Sequence, residues 1–372
     1  MPTPPALPII VIEDDKILRA LQVIFDPTTD PERQAGLQDY FAVDVPDISD
    51  WLAEVRATAG ALYPADVRMV GDQAALHAAL PDADAVVVEG LKIGADELAA
   101  APKLRMVQKF GIDTRNIDLA ACAAANMQVG TVRRRTSGAV CEQVFALLFA
   151  LTRKICLTDG HLDMDSLTGL GFKPKMYDTR HVSGANWARV TGLRTLEGMT
   201  LGLIGLGEIG RELAPRAAAF GMKVLYNQRT RLPDDITAPL GATYAPFDEI
   251  LEQSDTISLQ VPLNASTEGL IGAREFALMK PGAYLINISR APIVDRAALI
   301  QALESGHLGG AGFDVHYTEP GDPDEPLKHF PNVVLTPHTA PANRQRGMDD
   351  LAEVVTSLAG CVAIPWRASF HP

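Results

Sequence analysis

The segment TLGLIGLGEIGRELAPRAAAFGMKVLYNQRTRL, Thr200 to Leu232, carries Gly205, Gly207 and Gly210 in the spacing G-x-G-x-x-G. An apolar run leads into the glycines, a helical pattern follows, and a second apolar run ends at Gln228. Strand, tight turn, helix and strand in this order make a unit that binds a dinucleotide. The first glycine permits the turn, the second lets the backbone approach a pyrophosphate, and the third lets helix and strand pack closely. Leu206, Glu208 and Ile209 complete the loop and first helical turn, whose N–H groups and positive dipole end suit phosphate. Many such units end the second strand on an acid that binds the ribose hydroxyls. Here Gln228 stands there, followed by Arg229, Thr230 and Arg231. A neutral side chain does not repel a 2′-phosphate, and an arginine can pair with one. NADP is therefore expected. NAD stays possible if the arginines are only a solvated strand end.

Three more segments place reactive side chains just after predicted strands, where open parallel sheets bind their ligands. INISRAPIVDRAAL holds Ser289 and Arg290, GAGFDVHYTEP holds Asp314 and Glu319, and VVLTPHTAPAN holds His338. Singly, each has an ordinary reading: a surface ion pair, a solvated loop acid, a structural histidine. Their joint occurrence in the order arginine, glutamate, histidine is far more specific. In these motifs the chain resembles the D-isomer-specific 2-hydroxyacid dehydrogenases, a group that includes glyoxylate/hydroxypyruvate reductases. The resemblance runs from about Leu104 onward and is strongest from Leu196 to His338.

The resemblance implies a hydride transfer between a nicotinamide cofactor and a small 2-oxo or 2-hydroxy acid. Arg290 would clamp the substrate carboxylate with its planar fork of donors. His338 would be the general acid and base at the carbonyl oxygen, with Glu319 fixing its tautomer. Asp314 would hold the nicotinamide side of the cofactor, and Val261, Pro262, Thr267 and Ser289 would line its channel. Gly111 and Ile112 would offer backbone N–H groups to the substrate carboxylate. Most relatives are dimers formed through the nucleotide domain, and a homodimer is expected here.

Two stretches depart from the family pattern. KFGIDTRNID puts Asp113 where a glycine is usual, so either a carboxylate faces the substrate or the side chain turns away; the latter is expected. VGTVRRRTSGAVCEQV replaces a proline-glycine turn with Arg133, Arg134 and Arg135. These could bind a second anionic group, but ion pairing with an otherwise acidic chain is the expectation. Gln143 stands where many relatives have histidine, and nothing catalytic is assigned to it.

The elements that must position these residues follow from the patterning. With 372 residues, two domains are expected; 47% hydrophobic and 21% charged residues suit a substantial core. A net charge of −13 gives no general attraction for nucleic acid or acidic lipid. No apolar run reaches the roughly 20 residues of a membrane helix. Four scattered cysteines suggest neither a disulfide framework nor a zinc site, and reduced thiols in a cytoplasm fit best. His307, His316 and His329 lack metal-ligand spacing and read as structural or exposed.

Short apolar runs alternating with helical stretches predict α/β architecture: two Rossmann- or flavodoxin-like, doubly wound parallel-sheet domains flanking a cleft. Residues 1–136 with 341–372 would form the substrate-binding domain. Residues 137–340, opening with a long helix behind Ser137 as its cap, would bind the dinucleotide. PERQAGLQDYF and DISDWLAEVRATAG read as extra helices inserted between Lys16 and Asp66. Two other functions fit the same scaffold: formate-dehydrogenase-like chemistry, and nucleotide sensing by a corepressor-like protein. Formate dehydrogenases pair their histidine with glutamine, whereas Glu319 stands here.

Overall fold

Alternating β-branched runs and helices build two separate parallel sheets in the computed structural model, which describes residues 6–341 and 344–362. The first sheet holds β1 (Ile9–Glu13), β2 (Asp66–Val70), β3 (Ala85–Val88), β4 (Met106–Lys109) and β5 (Gln128–Thr131) in the order β2-β1-β3-β4-β5. The second holds β6 (Thr200–Ile204), β7 (Lys223–Asn227), β8 (Ala242–Tyr244), β9 (Thr256–Leu259), β10 (Ala283–Asn287), β11 (Leu308–Phe313) and β12 (Val333–Leu335). Its order is β12-β11-β10-β9-β6-β7-β8. All pairings are parallel. This is the doubly wound α/β fold that the patterning predicts.

The chain divides into two compact units, the first running to Thr136 and resuming with the C-terminal helix, the second beginning at Ser137. In the first unit the helix Arg344–Val362 returns to the sheet. Its Met348, Leu351, Val354, Val355 and Leu358 share a core with Ile10, Ile12, Met106 and the inserted helices Pro31–Ala42 and Ser49–Ala59. Each such side chain contributes on the order of 1.5–3 kcal/mol by leaving water. Arg135 strengthens the same attachment. Its backbone N–H and guanidinium reach the buried carboxylate of Asp350 at 3.0 and 2.9 Å, and it also pairs with Glu353 at 2.7 Å. Burial pushes the Asp350 carboxyl up more than Arg135 pulls it down. Arg134 pairs with Glu89 at 3.7 Å and lies over the Phe110 ring. Two of the three consecutive arginines are thus engaged with acids of their own unit.

In the second unit the helix Thr136–Thr152 packs Val144, Leu147, Leu148 and Leu151 against Leu201, Leu203 and Ile286. The helix starts at Thr136, so Ser137 is buried in its first turn rather than outside it as a cap. It stops at Thr152 because Lys154 takes a left-handed backbone, φ 54°. In this sheet the strand order reverses between β6 and β9, and the carboxyl ends at such a switch point are where a crevice opens.

Candidate active site

The loop after β6 shows why glycine is needed at its first and third positions and what the second leaves open. Gly205 has φ 103°, and a Cβ there would lie 2.8 Å from the carbonyl oxygen of Gln260 beyond β9. A Cβ on Gly210 would lie 2.7 Å from the Gly205 carbonyl oxygen. Gly207 differs: a Cβ built on it meets nothing within 4 Å. The loop therefore offers an uncovered stretch of backbone, closed on two sides by its own chain, at the head of the helix Glu208–Ala219. That is the shape and polarity a pyrophosphate requires, so these residues fit a dinucleotide. Leu206 and Ile209 direct their side chains into the apolar core, and Glu208 is buried, so what they present outward is backbone.

Gln228 ties the end of β7 to this loop. Its Oε1 accepts from the Leu206 N–H at 3.2 Å, and its Nε2 donates to the Thr230 carbonyl at 2.6 Å. Arg231 pairs with Asp234 at 2.9 Å and lies over the Tyr244 ring. The exposed Arg229 guanidinium makes no hydrogen bond or ion pair with the described residues. On the opposite wall, the Ser289 hydroxyl donates to the Val261 carbonyl. The Thr267 hydroxyl donates to the Pro262 carbonyl at 2.7 Å, which folds that turn back on itself.

Arg290 leaves the end of β10 in a turn shaped by Asn287. The Asn287 amide donates to the Arg290 carbonyl at 2.9 Å, and its Oδ1 accepts from the Ser289 N–H at 3.0 Å. The guanidinium is exposed and donates to the Ser289 carbonyl at 2.6 Å, with no carboxylate partner among the described residues. A surface ion pair is therefore not its role in this structure.

His338 and Glu319 come together from the ends of β12 and β11. His338 Nδ1 lies 2.8 Å from Glu319 Oε2, and both side chains are partly exposed. A carboxylate can only accept from Nδ1–H, which leaves Nε2 as the nitrogen turned to a ligand. The second carboxylate oxygen accepts from the His316 N–H at 3.0 Å. Burial raises the Glu319 carboxyl, but hydrogen bonds from His338 and His316 outweigh it and hold the group below the usual carboxylate range. Asp314 is fully buried. Its oxygens accept from the Thr339 N–H at 2.9 Å, the Ala340 N–H at 2.7 Å and the Thr336 hydroxyl at 2.5 Å. The shortest contacts of the Asp314 carboxylate thus run to the segment carrying His338, and the Gln143 amide nitrogen also reaches it at 3.5 Å.

In the first unit the buried Gly111 follows β4 with φ 132°, and Ile112 is exposed. Asp113 turns to Arg115, whose Nε donates to both its oxygens at 2.9 and 2.8 Å. Gln143, Thr336, His316 and Asn287 carry contacts that the sequence alone did not assign: Gln143 stands out as a departure from the family and His316 reads as structural or exposed, while Thr336 and Asn287 are not singled out. Among the described residues, no three His, Cys, Asp or Glu side chains group to hold a metal, and no helix is long and apolar enough to cross a membrane.

Comparison with known proteins gives this geometry a family. The D-isomer specific 2-hydroxyacid dehydrogenase NAD binding domain matches residues 173–340. A glyoxylate reductase from Thermococcus litoralis is 37% identical over 266 residues, covering 71% of this chain and 75% of that protein. A formate dehydrogenase from Granulicella is 28% identical with TM-score 0.50, covering 83% of this chain and 78% of that one. An acyclic imino acid reductase (Bsp5), solved with NADPH and D-Arg, is 25% identical with TM-score 0.50, covering 95% and 98%. The domain match across β6 to β12, together with identity to a curated relative over most of both chains, shows that this chain belongs to the D-isomer specific 2-hydroxyacid dehydrogenases, a family of NAD(P)-dependent oxidoreductases.

Proposed function

We propose that the chain reduces a small 2-oxo acid to the 2-hydroxy acid with a preference for NADPH. The observation that carries this reading is the 2.8 Å pairing of His338 Nδ1 with Glu319 at the ends of β12 and β11, the latter neighbouring β10, whose exposed Arg290 has no carboxylate partner among the described residues. When bound, the cofactor supplies the hydride to the carbonyl carbon. Arg290 binds the substrate carboxylate through its fork of N–H donors and holds the adjacent carbonyl in place. His338 donates the Nε2 proton to the carbonyl oxygen, and in reverse takes it from the hydroxyl. Glu319 fixes the ring and sets a negative charge against the positive one that the ring carries before it donates in reduction and after it accepts in the reverse direction. Such a charge has a purpose in ketone reduction. It has none in hydride removal from formate, where no proton moves, so the glutamate favours the oxo-acid reading over the formate one.

Gly205, Gly207 and Gly210 would cradle the pyrophosphate, with Val261, Pro262, Thr267, Ser289 and Asp314 assigned to the nicotinamide half. Gly111 and Ile112 are assigned to the substrate carboxylate as N–H donors, a role supported by their place just after β4, where Gly111 takes φ 132°. Arg229 would meet the 2′-phosphate, because Arg231 is already committed to Asp234. A homodimer through the second unit belongs to the same reading. It is supported by the apolar patch of Phe145, Phe149 and the 45% exposed Phe220, whose rings lie 5.0–6.3 Å apart. Reduced Cys122, Cys141 and Cys156 support a cytoplasmic location.

Initial rates of NADPH and NADH oxidation test the proposal, measured with glyoxylate, hydroxypyruvate, pyruvate and a 2-oxo dicarboxylate. Wild type should oxidise NADPH with a monocarboxylate at least about tenfold more efficiently than NADH. Arg229→Ala should erase most of that preference by raising KM for NADPH, since one charge-assisted contact contributes about 1.5–3 kcal/mol. Equal effects on both cofactors would remove Arg229 from the 2′-phosphate. Tight NADPH binding without turnover of any oxo acid would shift the reading to nucleotide sensing.

A further inference from the structure

The backbone of His338 is strained, and the structure contains a device that holds it there. His338 has φ 57°, a left-handed conformation that a non-glycine residue keeps only when its surroundings impose it. Thr336, two residues earlier, is where those surroundings converge. Its carbonyl accepts the His338 N–H at 2.9 Å and faces the His316 ring Nε2 at 2.8 Å. Its N–H donates to the Phe313 carbonyl at 2.9 Å, which anchors it to the end of β11. Its hydroxyl lies 2.5 Å from Asp314 Oδ1 and 2.8 Å from the Gln143 amide nitrogen.

The proton inventory of this cluster allows one arrangement. Asp314 is fully buried and has no ion-pair partner among the described residues, so neutral donors surround its carboxyl oxygens. Two of these, the Thr339 and Ala340 N–H groups, immediately follow His338. The Thr336 hydroxyl has a single proton, and a carboxylate beside it must receive that proton. The hydroxyl oxygen is then an acceptor toward Gln143, whose NH₂ faces it at 2.8 Å and lies 3.5 Å from Asp314 Oδ1. A segment of five residues, 336–340, is thereby pinned on both sides of the histidine to one aspartate, and the pin is completed from the middle of the helix Thr136–Thr152.

We infer that Thr336 is a positioning residue for His338, with Gln143 as the donor that sets its hydroxyl. The inference rests on the reading of His338 as the proton donor. Glu319 fixes the ring from one side, while Thr336 fixes the backbone that carries the ring. Losing the hydroxyl frees the segment to relax its left-handed residue and shifts Nε2 relative to a bound carbonyl. A displacement of about 1 Å can cost on the order of 100-fold in rate.

The test uses the full-length protein as wild type, Thr336→Val, Thr336→Ser and Gln143→Leu. Valine keeps the shape and removes the hydroxyl, while serine restores it. Steady-state kinetics with NADPH and glyoxylate should show kcat lowered about 10- to 100-fold in Thr336→Val, with KM for glyoxylate and Kd for NADPH within about twofold. Thr336→Ser should lie within about threefold of wild type, and Gln143→Leu between the two. Imidazole ¹⁵N–¹H correlation spectra, with His338 assigned by the signal missing in His338→Asn, give a readout independent of turnover. Wild type and Thr336→Ser should show one fixed tautomer protonated at Nδ1, whereas Thr336→Val should show averaging of the two ring nitrogens.

Unchanged kcat and an unchanged His338 spectrum in Thr336→Val would overturn the inference. So would equal losses in the valine and serine variants, which would mark a packing effect. If Thr336→Val does not fold, a Gln143→Leu spectrum identical to wild type overturns it in the same way. If wild type turns over no oxo acid, the spectra alone decide the positioning role, and the reductase reading fails separately.

Discussion

His338→Ala is expected to lower kcat for 2-oxo acid reduction by about three orders of magnitude, within the 10²–10⁴ range for a positioned general acid. Cofactor binding should be almost untouched, because the ring meets Glu319 rather than the glycine loop. NADPH titration followed by fluorescence, beside single-turnover rates with glyoxylate, separates the two quantities. Retained turnover would mean that the proton comes from another group. The pH profile adds a check with a defined sign. The folded-state pKa of Glu319 is depressed, so its pairing contributes fully above the ordinary carboxylate value and is lost only as pH falls through the lower, folded-state value. A drop in rate near neutral pH therefore cannot be assigned to Glu319 titration.

Arg290→Lys is expected to reduce kcat/KM for the oxo acid by about 100-fold or more, although the positive charge is kept. Lysine is a point charge and cannot hold a carboxylate with two parallel N–H donors, so the carbonyl loses its fixed approach. Stability should change little, since the guanidinium is exposed and, among the described residues, donates only to the neighbouring Ser289 carbonyl. Steady-state kinetics beside a thermal melt distinguishes these effects. A kcat/KM near wild type would move the carboxylate site elsewhere. A large fall in melting temperature would make Arg290 a structural residue.

These expectations rest on features that differ in how far sequence disclosed them. The glycine loop was legible because its demands are local: Gly205 and Gly210 are excluded from bearing a Cβ by atoms that the same strand–turn–helix unit and its neighbour supply. The inserted helices Pro31–Ala42 and Ser49–Ala59 were legible from apolar spacing and an acidic or proline-bearing start. Strands β5 and β8 were not, because both are short edge strands without a continuous apolar run. The arginine triplet shows the limit of charge patterning. Arg135 owes its role to Asp350, 215 residues away, and nothing in the local run distinguishes it from Arg133. The contacts of Asp113 were open between two orientations until Arg115 was seen to hold it. Gln143 stood out by type, as a departure from the family pattern, but its role was not legible because its partner Thr336 lies 193 residues further on. Hydrogen bonds across such separations depend on topology, which a linear pattern does not encode.

The central claim is that this chain delivers hydride to a 2-oxo acid held by Arg290 and protonated by His338. Chiral analysis of the product formed from hydroxypyruvate and NADPH tests it most directly. The account predicts D-glycerate alone, formed one for one with NADPH consumed. Formation of L-glycerate, or NADPH consumption without any 2-hydroxy acid, would contradict it.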